Sequence, residues 1–236
     1  LCVTGAVAMS DGLAQNQRHS AEPVDAWGRD RELESMPAGT PAGLADSDWA
    51  DIRSAYEAAR HTVRASGDGF VAENPGQAFQ AAFDGRGFTL QPTHGAWTWG
   101  LELEGYGWGA AHSIAVRPED STAAGGRVAY HWDGVLTEWY LNDTRGLEHG
   151  FTVHERSADA RGPLQLSVNV RGGLHPSLTA DGRDVHFVDA SGAAVLDYRG
   201  LVAFDADGVQ LDAAWRASES GLVLTVEDTA ARYPLT

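Results

Sequence analysis

Short apolar segments follow one another along most of the chain from residue 70 onward. Many are separated by turns rich in Asp and Gly, such as residues 84–87, Asp181-Gly182 and Asp207-Gly208. Segments bounded by such turns are typical of antiparallel strands joined by hairpins. No helical pattern alternates with them, which disfavours a parallel α/β arrangement.

Two of these segments alternate clearly between apolar and polar positions. In residues 164–170 (LQLSVNV) every second residue is Leu or Val, and in residues 96–103 (AWTWGLEL) Trp97, Trp99, Leu101 and Leu103 alternate in the same way. Because side chains of a strand point alternately to opposite faces, each segment is predicted to bury one face. Leu166→Ala should then cost about 2–5 kcal/mol of stability.

One helix precedes the strands. The apolar residues of its stripe recur at steps of three and four: Trp49, Ile52, Tyr56, Ala59 and Val63. This spacing predicts an amphipathic helix over about residues 48–65 that covers one face or edge of a sheet. Asp46 or Ser47 is the expected N-cap.

The first 46 residues lack such a pattern. Residues 1–14 begin with the apolar run LCVTGAVAM, which is typical of the later half of an export signal and predicts a signal-peptide remnant. Residues 15–46 contain Pro23, Pro37 and Pro41 and are predicted to be a linker. We therefore expect residues 1–45 to be dispensable for folding, and the protein to be secreted or displayed on the cell surface.

These elements predict a mainly β fold, an antiparallel β-sandwich region with one N-terminal amphipathic helix. The region is either one large sandwich or two small ones. Arg171-Gly172-Gly173 is the candidate boundary, which divides a helix and first sandwich region (47–172) from a second β-rich region (173–236).

Charge narrows the possible partners. The formal net charge is -16, and every basic side chain is Arg. A surface this acidic repels phosphate, which argues against nucleic acid as a partner. No apolar run approaches the length of a membrane span, so membrane insertion of the mature domain is not expected.

The candidate catalytic residues are Glu138 and Glu148. A glycosidase needs two carboxyl groups about 5–10 Å apart that face one sugar. Strands on either side of the turn near Asp143 could present them, with Trp139 and His149 as ligand-binding residues. In the alternative reading, both carboxylates point outward and pair with Arg145 or Arg156, while His149 lines a packed hairpin.

Other chemistry is weakly indicated. Trp97, Trp99, Trp132 and Trp139 could form a sugar platform, although a buried aromatic layer is the commoner cause of such residues. Asp205-x-Asp207-Gly208 resembles the opening of a calcium loop but lacks the later ligands, which favours a simple turn. No zinc, nucleotide or serine-hydrolase motif occurs, so no cofactor is expected.

From Trp49 onward, several phrases resemble the N-terminal β-rich module of large secreted bacterial proteins with FG-GAP or integrin-alpha-like β-propeller repeats. The phrases are Asn74-Pro75-Gly76-Gln77, WGLEL at 99–103, Glu138-Trp139-Tyr140-x-Asn142, GLEHGFTV at 146–153 and ARYPLT at 231–236. In such proteins the last phrase continues into Ile-Asp-Pro and then the repeats.

The resemblance implies a non-enzymatic structural or interaction module that precedes a β-propeller repeat array, with an extracellular protein or glycan as its partner. The alternative is a carbohydrate-active domain, glycan-binding or glycoside-hydrolysing, that uses Glu138 and Glu148.

Overall fold

The structure, a computed structural model, describes residues 3–9, 39–109, 111–114 and 116–236. Within them the chain forms one helix, α1 (Asp46–Arg60), and seventeen strands. The strands are β1 (Val3–Met9), β2 (Arg64–Ser66), β3 (Gly69–Asn74), β4 (Phe79–Phe83), β5 (Gly87–Pro92), β6 (Trp99–Trp108), β7 (Ala111–Ile114), β8 (Asp120–Ala124), β9 (Arg127–His131), β10 (Leu136–Asp143), β11 (Gly146–Val153), β12 (Leu164–Gly172), β13 (His175–Leu178), β14 (Val185–Val188), β15 (Ala194–Val202), β16 (Ala213–Ala217) and β17 (Gly221–Val226).

The strands form two sheets. Sheet A has the order β13-β14-β15-β1-β11-β10-β9-β8, and sheet B has the order β16-β17-β12-β6-β5-β4-β3-β2, with β7 paired to β6. Every pairing between these strands is antiparallel. Most neighbours are joined by short turns, as the Asp/Gly pattern predicts.

The two sheets pack face to face around one apolar core. Phe88 of sheet B meets Tyr140 of sheet A edge-on, with ring centroids 5.2 Å apart. Trp99 of sheet B lies 4.6 Å from Phe187 of sheet A. Because both inner faces contribute large side chains to this core, the predicted mainly β, antiparallel sandwich is confirmed.

The alternating segments bury the predicted faces. On β12, Leu164, Leu166 and Val168 are buried, and Val170 packs half-buried against the same core. On β6, the buried residues include Trp99 and Leu101. The period-two pattern therefore identifies the core side of both strands.

The helix differs from its prediction at both ends. Its N-cap is Ala45, which makes no side-chain capping bond, so neither Asp46 nor Ser47 is the cap. It ends at Arg60 rather than near 65, and the Val63 N–H donates to the Gly125 carbonyl at 2.7 Å. This bond draws the chain to the end of sheet A before β2 begins.

The helix also buries less of its stripe than expected. Trp49 is buried, whereas Ile52 is exposed and Tyr56 is half-buried. The helix therefore contributes little apolar surface to the fold. Within the described residues α1 is the one helix, and it is too short and too polar to cross a bilayer.

The segment interpreted as a signal-peptide remnant has a place in sheet A. Its residues Val3–Met9 form β1, which pairs with β11 on one side and with β15 on the other. The expectation that this segment stays out of the fold is therefore wrong, while its role in export stays a prediction. Residues 10–38, which include most of the predicted linker (15–46), lie outside the described residues.

The candidate boundary at Arg171-Gly172-Gly173 does not separate two sandwiches. Strands β13–β15 extend sheet A, and β16 and β17 extend sheet B. Elements from both sides of Gly172 therefore share each sheet and the one core between them.

Candidate functional site

Glu138 and Glu148 lie on neighbouring strands but on opposite faces of sheet A. Glu138 of β10 pairs with Phe151, whereas Glu148 of β11 pairs with Leu141. Directly paired residues share a face and successive residues alternate, so Glu138 faces the core and Glu148 faces outward. Their side chains are 1% and 19% exposed, respectively. The two carboxylates cannot face one sugar, so the candidate acid–base pair is not formed.

The Glu138 carboxylate is instead the centre of a buried hydrogen-bond network. Its Oε2 accepts a bond from Trp132 Nε1 at 2.9 Å. Its Oε1 accepts one from the Tyr140 hydroxyl at 2.7 Å and lies 2.8 Å from His149 Nε2. A buried carboxylate needs such donors because desolvation is otherwise costly. The reading of Glu138 as an outward partner of Arg145 or Arg156 is therefore wrong.

His149 connects this network to β15. Its Nδ1 lies 3.1 Å from the Tyr198 hydroxyl. Its two ring nitrogens therefore bridge the Glu138 carboxylate of β10 and the Tyr198 hydroxyl of β15. The ring also stacks on Tyr140, with centroids 4.9 Å apart and planes inclined by 13°.

The two tyrosines are fixed as donors by their surroundings. Burial raises the pKa of Tyr140 and of Tyr198 well above that of a free phenol, and the Glu138 carboxylate raises both further. Each hydroxyl therefore keeps its proton and directs it into the network.

Aromatic rings close the network on the core side. Phe88 of sheet B and Phe151 of β11 lie 5.7 Å and 4.8 Å from the His149 ring. Since Glu138 and His149 are each 1% exposed, the reactive atoms have no contact with solvent. The network can orient β10, β11 and β15 relative to one another, but it does not present a reactive group to a substrate.

Glu148 belongs to a surface ion-pair cluster. Arg145 Nη2 lies 3.1 Å from Glu148 Oε2 and 2.7 Å from Asp143 Oδ2. The Arg145 side chain is largely exposed, so each pair contributes no more than about 1 kcal/mol. The interpretation of Glu148 as a solvated partner of Arg145 is confirmed.

Trp139, the candidate sugar platform, is covered. It is 2% exposed, and the Arg127 guanidinium carbon lies 4.4 Å from its ring centroid. Trp99 and Trp132 are buried in the core, and Trp97 packs partly buried against it. Trp97, Trp99 and Trp132 therefore serve packing, as the buried-aromatic alternative predicted, whereas Trp139 is covered on the other face of β10.

Asp205 and Asp207, the weak metal candidates, form a turn. Asp205 Oδ1 accepts bonds from the backbone N–H groups of Asp207 and Val209, both at 2.9 Å. Asp207 pairs with Arg232. Hydrogen bonds from Val209 and other backbone groups hold the pKa of Asp205 below its usual range, against the effect of burial. Within the described residues, no group of three or more His, Cys, Asp or Glu side chains is placed to hold a metal ion.

A second buried carboxylate, Asp228, is absent from the sequence predictions. Its Oδ2 accepts a bond from Trp108 Nε1 at 2.8 Å and from Arg156 and the Tyr233 hydroxyl, while Oδ1 accepts one from the Leu164 N–H at 3.1 Å. The donors come from positions scattered over more than half of the chain. No spacing motif joins them, so only the fold reveals this cluster.

Asn74 and Asn142, both buried, form a smaller link between the sheets. The Asn74 amide donates to the Asn142 side-chain oxygen at 2.8 Å and to the Asp143 carbonyl at 2.7 Å. Asn142 donates in turn to the carbonyls of His61 and Glu73. Both asparagines belong to the resemblance phrases, and their role in the structure is to join β3 to β10.

Shallow depressions on the described part of the surface include two of similar size. One, of about 330 Å³, is lined by Glu73, Gln80 and Gln91 among others. The second, of about 310 Å³, is lined by both acidic and basic side chains, including Asp181 and Arg216. Neither includes Glu138 or His149, so the buried network and the surface depressions are separate.

No protein-family model, curated protein or solved structure matches this chain.

Proposed function

We propose that this chain is a non-enzymatic structural module of a secreted or cell-surface bacterial protein, and that it precedes a β-propeller-type repeat array. The observation that carries the proposal is the closed Glu138 network. The Glu138 carboxylate is enclosed by its hydrogen-bond partners Trp132, Tyr140 and His149. The buried rings of Phe88 and Phe151 lie against His149. The strongest catalytic candidate of the sequence is therefore without access to a substrate.

A carbohydrate-active domain would need a different arrangement. Glycoside hydrolysis requires two carboxyl groups on either side of one bond, with one of them able to exchange a proton. Glu138 lies beneath sheet A and Glu148 above it. Trp139, which would have stacked on the sugar, is covered.

The context of the module is supported by the resemblance phrases. Within ARYPLT at 231–236, Leu235 exchanges hydrogen bonds with Val153 at the end of β11. The acidic surface and the absence of lysine suit a soluble extracellular scaffold. An extracellular protein or glycan remains the expected partner class of the assembled protein.

Two measurements test the proposal. The first is a glycan-hydrolysis screen on the wild-type protein beside Glu138→Gln and Glu148→Gln. No product should form in any of the three, because no acid–base pair is present. Reproducible product release that disappears in both variants would overturn the non-enzymatic function.

The second measurement is the sequence of the gene downstream of the codon for Thr236. We expect Ile-Asp-Pro or a similar phrase, followed by repeats of β-propeller type. Unrelated sequence there would remove the proposed context while leaving the first measurement unaffected.

A further inference from the structure

The position between β11 and β15 in sheet A is occupied by β1. Val3 faces Phe151 and Val7 faces Leu147 on β11. On the other side, Thr4 faces Val202 of β15. Since adjacent strands are about 4.8 Å apart, β11 and β15 are separated by roughly twice that distance and need a strand between them. We call this position the central lane.

A second segment enters the same lane from its other end. Leu235 and Val153 exchange backbone hydrogen bonds of 2.8 and 2.9 Å, and Thr236 and Phe204 exchange two of 3.0 Å. Val153 ends β11, and Phe204 lies just beyond β15. The Leu235–Thr236 segment is therefore held by the end of β11 on one side and by Phe204, just beyond β15, on the other.

The register places the two segments on one line. Along two antiparallel strands, the residue number rises on one strand as it falls on the other. The next position beyond Thr236 would therefore face Phe151, and the position after that would face Val202. Val3 and Thr4 occupy these two positions. Both segments also run antiparallel to β11, so β1 lies where a straight continuation of Thr236 would run.

We propose that the central lane is a single exchangeable strand site, which Val3–Met9 fills in this structure and for which a strand continuing from Thr236 competes. The inference rests on the proposed function in one respect, namely that residues follow Thr236 in the full protein. The lane then joins this module to the first segment of the repeat array, and β1 leaves when that segment enters.

The buried network specifies the sequence that fits the lane. His149 of β11 and Tyr198 of β15 are hydrogen-bonded to each other across it. The residue of β1 at the His149 register is Gly5. Because paired residues share a face, a larger residue at this position would meet the His149–Tyr198 contact. The site therefore selects an extended segment with glycine at its third position.

The experiment uses the full chain with a weakened β1. Val7→Pro removes a backbone donor from a strand that is paired on both sides, and should lower the thermal midpoint by about 5–10 °C. The seven residues VTGAVAM are then added directly after Thr236 in this variant. Most of the lost midpoint should return, because the added strand enters the lane in the correct register.

Two matched controls use the same Val7→Pro background. One extra Ser between Thr236 and VTGAVAM shifts the register by one and turns every side chain to the other face. VTVAVAM replaces the glycine at the third position with Val. Neither extension should restore the midpoint. If Val7→Pro prevents folding, the soluble yield and protease resistance of the three extended chains give the same comparison.

Each contrary result overturns the inference. An unchanged midpoint in Val7→Pro means that β1 does not hold the lane, and equal recovery with all three extensions means that the register is wrong. Recovery accompanied by a doubled native mass means that the strand comes from a second molecule. Glycan hydrolysis by the wild-type protein would overturn the proposed function but would change none of these midpoints.

Discussion

Glu138 and Asp228 are both buried carboxylates, but their charges are compensated differently. Glu138 receives its hydrogen bonds from Trp132, Tyr140 and His149, all of them in the interior. Asp228 receives one from the guanidinium of Arg156, whose side chain is 24% exposed. One carboxylate lies under the middle of sheet A, and the other lies where an Arg can reach it from solvent.

The difference shows what each cluster holds together. The Glu138 network joins neighbouring strands and reaches β15 through His149. The Asp228 cluster joins β6, the start of β12 and the Tyr233 segment, which are remote in sequence. Loss of Glu138 should therefore disturb the core itself, whereas loss of Asp228 should release the segment that leads to Thr236.

The largest effect is expected from Glu138→Ala. The change leaves Trp132 Nε1, the Tyr140 hydroxyl and His149 without their acceptor in a site that water does not reach. The free energy of unfolding should fall by about 3–5 kcal/mol, measured by urea denaturation. A loss below about 1 kcal/mol would mean that the network is hydrated, contrary to the closed geometry.

Asp228→Asn is expected to have a smaller effect, about 1.5–3 kcal/mol, because charged hydrogen bonds are lost while the side chain keeps its shape. In hydrogen exchange, the amides of Leu235 and Thr236 should lose protection before the amides of the core do. If Asp228→Asn costs more than Glu138→Ala, the contrast between the two clusters is wrong.

The Asp228 cluster should also make stability depend on pH. Burial alone would raise the pKa of Asp228, but hydrogen bonds from Arg156, Tyr233 and Trp108 outweigh it and lower the pKa below its usual range. A carboxyl with a lowered folded pKa contributes stability above its unfolded pKa of about 3.9 and loses it as the pH falls through the folded value.

The stability difference between wild type and Asp228→Asn should therefore be constant above about pH 5 and shrink below about pH 4. Urea midpoints measured from pH 7 to pH 2 provide the comparison. A difference that grows on acidification would show that the pKa of Asp228 is raised.

The smallest effect is expected from Glu148→Gln, which is also the surface control for Glu138. Its partner Arg145 is mostly exposed and keeps Asp143, so the change should cost no more than about 1 kcal/mol. The test is the same urea titration, with and without salt. A loss similar to that of Glu138→Ala would contradict the assignment of the two carboxylates to opposite faces.

Much of the fold is predictable from local pattern. The alternation in β12 identifies its buried face because Leu164, Leu166 and Val168 lie on one face of the strand and all favour burial. This holds whichever residues of the other sheet pack against them. Turn residues place most hairpins for a similarly local reason. The strand β1 is not predictable in this way, since its partners β11 and β15 are remote in sequence and its apolar run equally suits an export signal.

The candidate site is predictable only in part. The sequence singles out Glu138, Trp139, Glu148 and His149, but both faces of β10 carry aromatic residues, so pattern alone does not tell which face is inner. The structure assigns Glu138 and Tyr140 to the core, and with them His149. The Asp228 cluster has no local signal because its donors meet only after both sheets have formed.

The hold on Leu235 and Thr236 has a mechanical consequence. The backbone bonds to Val153 and to Phe204 lie on opposite sides of the segment and across its length. A pull on Thr236 along the strand direction loads the bonds on both sides in shear, so they share the force and do not open one after another. Tension applied at Thr236 would thus be passed to both halves of sheet A at once.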